Sequence, residues 1–153
     1  LLDQVAAAVE GTAFALWAAR DPLAYPIANV VHVLGLALLL GPVLLMELKL
    51  LGAFPELPLE PFVRALRPFA VAGLLMLLLS GPVLFAADAT ALAVSGTFRL
   101  KLVLVGLGLA NALAFTRVDA GEAPGPVARA MALASLVLWT GAAMAGRWIA
   151  YAG

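Results

Sequence analysis

The stretch YPIANVVHVLGLALLLGPVLLMELKLLG, residues 25–52, decides the fold. From Ile27 to Leu51 it is long and apolar enough to cross a hydrocarbon core of ~30 Å, which takes about 20 helical residues. It also carries the chain's single histidine, His32, one turn after Asn29 and one turn before Gly35. An imidazole in so apolar a helix must be hydrogen-bonded or ligate a metal to offset its desolvation. That requirement makes His32 the first candidate for function.

The rest of the chain repeats the pattern. Of its 153 residues, 65% are hydrophobic and 12% charged, with a mean hydropathy of +1.09. A water-soluble domain is about a quarter charged, so too few polar residues exist to cover a wet surface. Further spans are predicted over 62–87, 98–116 and 127–151, closed by "AFPELPLEP" and "VDAGEAPGP", with bends at Pro42 and Pro82. Residues 1–24 form an N-terminal interfacial segment. Within it, "VAAAVEGTAFALWAA" is too short to span and carries Glu10 at its centre, with Asp3 seven residues earlier. It is read as a helix lying in the headgroup layer, with Trp17 and Arg20 at the interface; a frayed terminus is the bland alternative. The expected fold is all-α, a single integral membrane domain built as a four-helix bundle with an N-terminal interfacial helix.

Composition excludes several function classes. Formal net charge is zero, which gives no footprint for nucleic acid, and there is no cysteine, hence no disulfide or thiolate chemistry. No phosphate loop, nucleophile elbow or zinc-protease signature occurs. The first 20 residues lack a basic leader and match a signal peptide poorly. Basic residues at the membrane faces divide as Lys49, Arg64, Arg67, Arg117 and Arg129 against Arg20, Arg99, Lys101 and Arg147. By the positive-inside rule this bias places both termini on the periplasmic side of a bacterial inner membrane.

His32 lies six residues past Pro26, hence ~9 Å along the helix at 1.5 Å per residue. Lys101 and Arg147 fall at a similar depth on the third and fourth spans. Intramembrane ionisable groups normally face the bundle interior or a wet cavity, so the three together suggest a site for something anionic. The competing reading has Lys101 and Arg147 snorkelling to the headgroups and His32 satisfied by Asn29 or a carbonyl. Asn111 is expected to hydrogen-bond between helices, and Glu47 to pair with Arg64 or Arg67. Gly141 with Ala145, and Ala142 with Gly146, form small-residue pairs for close helix approach, either within the chain or in a homo-oligomer.

The histidine of the first span, "RALRP" opening the second and "FRLKLVLV" opening the third come in an order that resembles bacterial four-helix membrane proteins. These are the copper-resistance D family and the membrane-bound protoporphyrinogen oxidase. An uncharacterised family of small four-helix proteins, ending in a "GRWIAY"-like stretch, is also similar. The resemblance implies haem or porphyrin binding at His32 and Lys101. One histidine and scattered methionines give no spacing for copper. The combined expectation is a b-type haem with His32 on the iron and Lys101 and Arg147 on the propionates. Asn29 lies beside it, Gly35 and Gly73 make room for the macrocycle, and Met76 or Met144 is a further axial option. The alternatives are a cofactor-free assembly or structural subunit, and a transporter-like protein for a small anion or copper.

Overall fold

The computed structural model describes residues 2–118, 124–149 and 151, apart from the side chain of Asp3. The described residues are helical almost throughout. Two short helices, α1 (Leu2–Glu10) and α2 (Ala13–Arg20), precede the first long one, α3 (Ala24–Leu50). There follow α4 (Leu59–Ala87), the six-residue α5 (Ala89–Val94), α6 (Gly96–Phe115) and α7 (Pro126–Ile149). The helices α3, α4, α6 and α7 are the four long and apolar enough to span a membrane. This chain is a four-helix membrane protein. Only 6% to 28% of each spanning window is buried inside the protein. Leu79, Val137 and Met144 point outward with 65–74% exposure, as lipid-facing side chains do.

Contacts between residues fix the pairing. Gly35 meets Gly73 and His32 meets Ser80, while Leu50 and Leu59 share a cluster at the far end, so α3 and α4 run antiparallel. Lys101 meets Gly146, Gly108 meets Trp139 and Asn111 meets Met131, which makes α6 and α7 a second antiparallel hairpin. The hairpins join where α3 packs on α7. Leu39 and Val43 of α3, Ala70 of α4 and Trp139 of α7 form the central core, with Leu109 of α6 against it. Packing therefore runs α4–α3–α7–α6. Among the described residues α4 and α6 have no backbone contact, although the rings of Phe85 and Phe98 stack at 5.6 Å near their ends.

Glycine and alanine set how closely these helices approach. A Cβ placed on Gly73 would lie 2.4 Å from the backbone nitrogen of Leu39 and 2.6 Å from the Gly35 carbonyl oxygen. At Gly35 it would lie 2.9 Å from Met76 Cβ. The space beside both glycines is thus filled by the opposite helix, and the expected room there for a macrocycle does not exist. The small-residue face of α7 is also covered from within the chain. Ala142 and Ala145 are buried, while a Cβ on Gly141 or Gly146 would touch Leu104 or Lys101 of α6 at 3.4 Å.

The span starts and the N-terminal segment differ from the sequence expectation. The spans begin one to three residues earlier than expected, because α3 starts at Ala24 and carries Pro26 in its first turn, where a missing N–H costs nothing. Asp21 Oδ1 caps that start by accepting from the Leu23 and Ala24 amides at 2.9 Å. The interfacial segment is two helices, broken at Gly11, with the Thr12 hydroxyl capping α2 by accepting from Ala15 N at 3.2 Å. It is docked, since Ala6 packs on Ala89 and Ala93 of α5, and Ala15 and Ala18 pack on Ala86 of α4. Thr90 of α5 adds a hydrogen bond to Glu10 at 3.1 Å. Trp17 and Phe14 remain about half exposed with their rings 5.8 Å apart. Residues 119–123 lie outside the described residues, as does the side chain of Asp3.

Candidate functional site

Two serines, Ser80 on α4 and Ser135 on α7, are the buried polar residues among those described. Each is partnered with an ionisable residue of α3. The Ser80 hydroxyl donates to the Met76 carbonyl at 2.7 Å, and its oxygen lies 2.8 Å from His32 Nδ1. A hydroxyl has one hydrogen; when it is given to Met76, Ser80 accepts and Nδ1 of a neutral His32 carries the proton. The lone pair is thereby left on Nε2, the atom a metal takes when the other ring nitrogen is held by hydrogen bonding. Asn29, the nearby partner suggested by helical spacing, stands exposed one turn away and does not make this bond.

The cationic groups divide. Lys101 is half-buried, its stem and ammonium resting against Gly146. Arg147 is exposed and turned the other way. Its guanidinium lies 4.8 Å from the centre of the Tyr151 ring and donates to that residue's hydroxyl at 2.5 Å. Arg147 therefore leaves the expected group of three, and Lys101 stands on α6, which among the described residues has no backbone contact with α3, the helix of His32. Arg99 also lies apart, its Nε donating to the Ala93 carbonyl at 2.9 Å. Met76 offers its carbonyl rather than a free face beside His32, and Met144 is 72% exposed.

At the opposite end of α3, Ser135 of α7 is the polar side chain beside the Glu47 carboxyl. The expected pairing of Glu47 with Arg64 or Arg67 does not form. Arg64 pairs instead with Glu60 one turn back on α4, both side chains being solvent-exposed. The reason is directional: Glu47 faces α7, whereas the two arginines lie on the exposed side of α4. Fifteen residues separate His32 from Glu47, ~22 Å of helix, so α3 carries one polar contact toward each end of the core. Ser135→Ala should strip the carboxyl of its donor and cost about 1–3 kcal/mol. Glu47→Gln keeps an oxygen for Ser135 and should be milder. Melting of the detergent-solubilised variants checks the order, and an unchanged midpoint for Ser135→Ala would count against a structural bond. Asn111 behaves as expected, its Nδ2 donating to the Met131 carbonyl of α7 at 3.1 Å.

Among the described residues no three histidine, cysteine, aspartate or glutamate side chains gather to hold a bare metal ion. An apolar cleft of about 310 Å³ lies between α2 and the α3–α4 hairpin, with Trp17 at its rim and Ser80 in its wall. Trp17 of α2 thus borders an open recess whose wall includes the serine that holds His32.

A family model described as a family of unknown function, DUF6644, matches residues 23–152. The chain belongs to that family. No curated protein and no solved structure matches it. The part shared with DUF6644 begins at the cap of α3 and contains His32, Glu47, Ser80, Lys101 and Ser135, while α1 and α2 fall outside it. Membership agrees with the expected uncharacterised family and brings no activity with it. Sequence reasoning missed both serines. Ser80 had a signal, the "SGP" run inside an apolar span, whereas Ser135 had only its position on a helix rich in small residues.

Proposed function

We propose that this DUF6644 chain is a membrane protein that binds b-type haem, with His32 Nε2 as the protein ligand to iron and a role in electron transfer. The observation that supports the reading is the Ser80–His32 hydrogen bond, which suits a neutral imidazole protonated on Nδ1 with its lone pair on Nε2. The donor set fits a porphyrin better than a bare ion. A macrocycle brings four nitrogens of its own and needs one axial side chain, whereas a bare ion needs a cluster that the described residues lack. Haem supplies one-electron chemistry, with a potential set by its axial ligands and their hydrogen bonds.

The protein's own residues would divide the remaining work. Ser80 orients the imidazole, and Lys101 supplies positive charge for a propionate on the α6–α7 side. The order of His32 and Lys101 along the chain resembles that of the histidine and lysine of the protoporphyrinogen oxidase family, which would suit the same pair. With both termini outside, as the basic-residue bias favours, the site would lie in the periplasmic half of a bacterial inner membrane.

The first test is the visible spectrum of protein purified from haem-supplied cells. A Soret band with haem near one per chain is expected; its absence would favour a cofactor-free assembly subunit instead. Ser80→Ala provides a finer check. Loss of a histidine's outer-shell partner typically weakens metal affinity about 10–100-fold, so this variant should retain less haem and show a shifted midpoint potential. Ser80→Thr, which keeps the hydroxyl, should recover most of both.

A further inference from the structure

The end of the bundle remote from His32 holds a second site. The chain leaves α3 through Gly52, at φ +109°, and Phe54, at φ +55°. A phenylalanine in the left-handed region is uncommon and strained, and such strain persists only where surrounding contacts hold it. Here the contact is identifiable. The Phe54 carbonyl accepts from Lys49 Nζ at 2.8 Å, while the Phe54 ring lies 5.9 Å from that of Phe62. The strained loop therefore fixes the direction of a lysine that would otherwise extend freely into solvent.

That lysine borders a cleft of about 260 Å³ whose opposite side carries Arg129, from the first turn of α7. Its apolar wall is made by Leu50 and Leu59, both buried. Two cations on different helices thus line one recess at the level where α3 ends and α7 begins. Lys49 spends one N–H on Phe54 and has two left. A cation in the first turn of a helix meets the positive end of the helix dipole, so Arg129 is placed where an anion would relieve it.

We infer that this cleft binds the phosphate headgroup of an anionic glycerophospholipid, its glycerol and upper acyl carbons resting on Leu50 and Leu59. Basic recesses between spanning helices are suited to such headgroups. Charge selects among lipids: phosphatidylglycerol presents a net anion to Lys49 and Arg129, whereas the choline of phosphatidylcholine would set a third cation beside them. The apolar wall favours a lipid over free phosphate. This site is independent of haem at His32, and its test does not depend on cofactor content.

Detergent-solubilised protein is melted with added phosphatidylglycerol, phosphatidylcholine or inorganic phosphate, and lipids retained are counted by native mass spectrometry. Phosphatidylglycerol at about a hundredfold excess over its dissociation constant should raise the midpoint by roughly 5–10 °C. The other two should leave it unchanged. The double variant Lys49→Gln, Arg129→Gln should lose both this shift and the retained lipid. Its own midpoint in plain detergent reports whether it folds, and Arg129→Gln alone, exposed at its site, serves if the double variant does not. Equal shifts with both lipids, a shift with inorganic phosphate alone, or a variant that keeps the shift would each overturn the inference.

Discussion

Replacing His32 with alanine is expected to remove haem from the purified protein while leaving the four-helix fold in place. The fold should survive because the substitution strands nothing: Ser80 still donates to the Met76 carbonyl and keeps its buried hydroxyl satisfied. Haem retention should fall by more than the ~10–100-fold typical of losing an outer-shell partner, since the axial ligand itself is gone. Lys101→Ala should do less. A propionate near the interface can be solvated, and a partly exposed ion pair is worth about 1 kcal/mol or less. Arg147→Ala should leave haem unchanged, because that guanidinium is occupied with Tyr151. The decisive measurement is haem per protein in the wild type and the three variants, purified alike. Equal haem in wild type and His32→Ala, or none in either, would remove His32 as the ligand.

What could be read in advance divides by the distance over which the physics acts. The spans were legible because each is a run of about 20 or more predominantly apolar residues, a property of consecutive positions. The six-residue α5 was not, since a window of that length carries no membrane signal and its alanines become informative only beside Ala6. His32 stood out as the one imidazole in an apolar helix. Its partner did not, for Asn29 is three residues away while Ser80 is 48 away and pairs with it only through the α3–α4 packing. A serine within a helix can also satisfy itself on the carbonyl four residues back, as Ser80 does on Met76, which hides its second role. Glu47 was misassigned for a related reason. Sequence places arginines across the loop from it, but the turn of α3 aims its carboxyl at α7. At Gly35 and Gly73 the missing side chains were evident, yet what fills the space depends on the helix opposite.

Gly73→Ala should therefore destabilise the protein, although alanine is by far the better helix former. In an exposed helix interior the exchange of glycine for alanine gains about 0.5–1 kcal/mol. Gly106 of α6, where an added Cβ meets nothing within 4 Å, should show that gain. At Gly73 the same methyl would lie 2.4 Å from Leu39 N and 2.7 Å from Leu38 C, backbone atoms that cannot rotate aside. Helices α3 and α4 must then separate or slide, loosening the Leu39, Val43 and Ala70 core that lies beside the contact. Overpacking of this kind costs about 1–3 kcal/mol and occasionally more, and contact with backbone rather than a flexible side chain argues for the upper end. At roughly 2–4 °C per kcal/mol for a chain of this size, the two alanine variants should move the melting midpoint in opposite directions. Separation of α3 from α4 would also stretch the 2.8 Å bond between His32 and Ser80. If haem sits on His32, Gly73→Ala should weaken its retention as well, and Gly106→Ala should not. A Gly73→Ala protein as stable as Gly106→Ala would mean that the two helices do not meet backbone to backbone at Gly35.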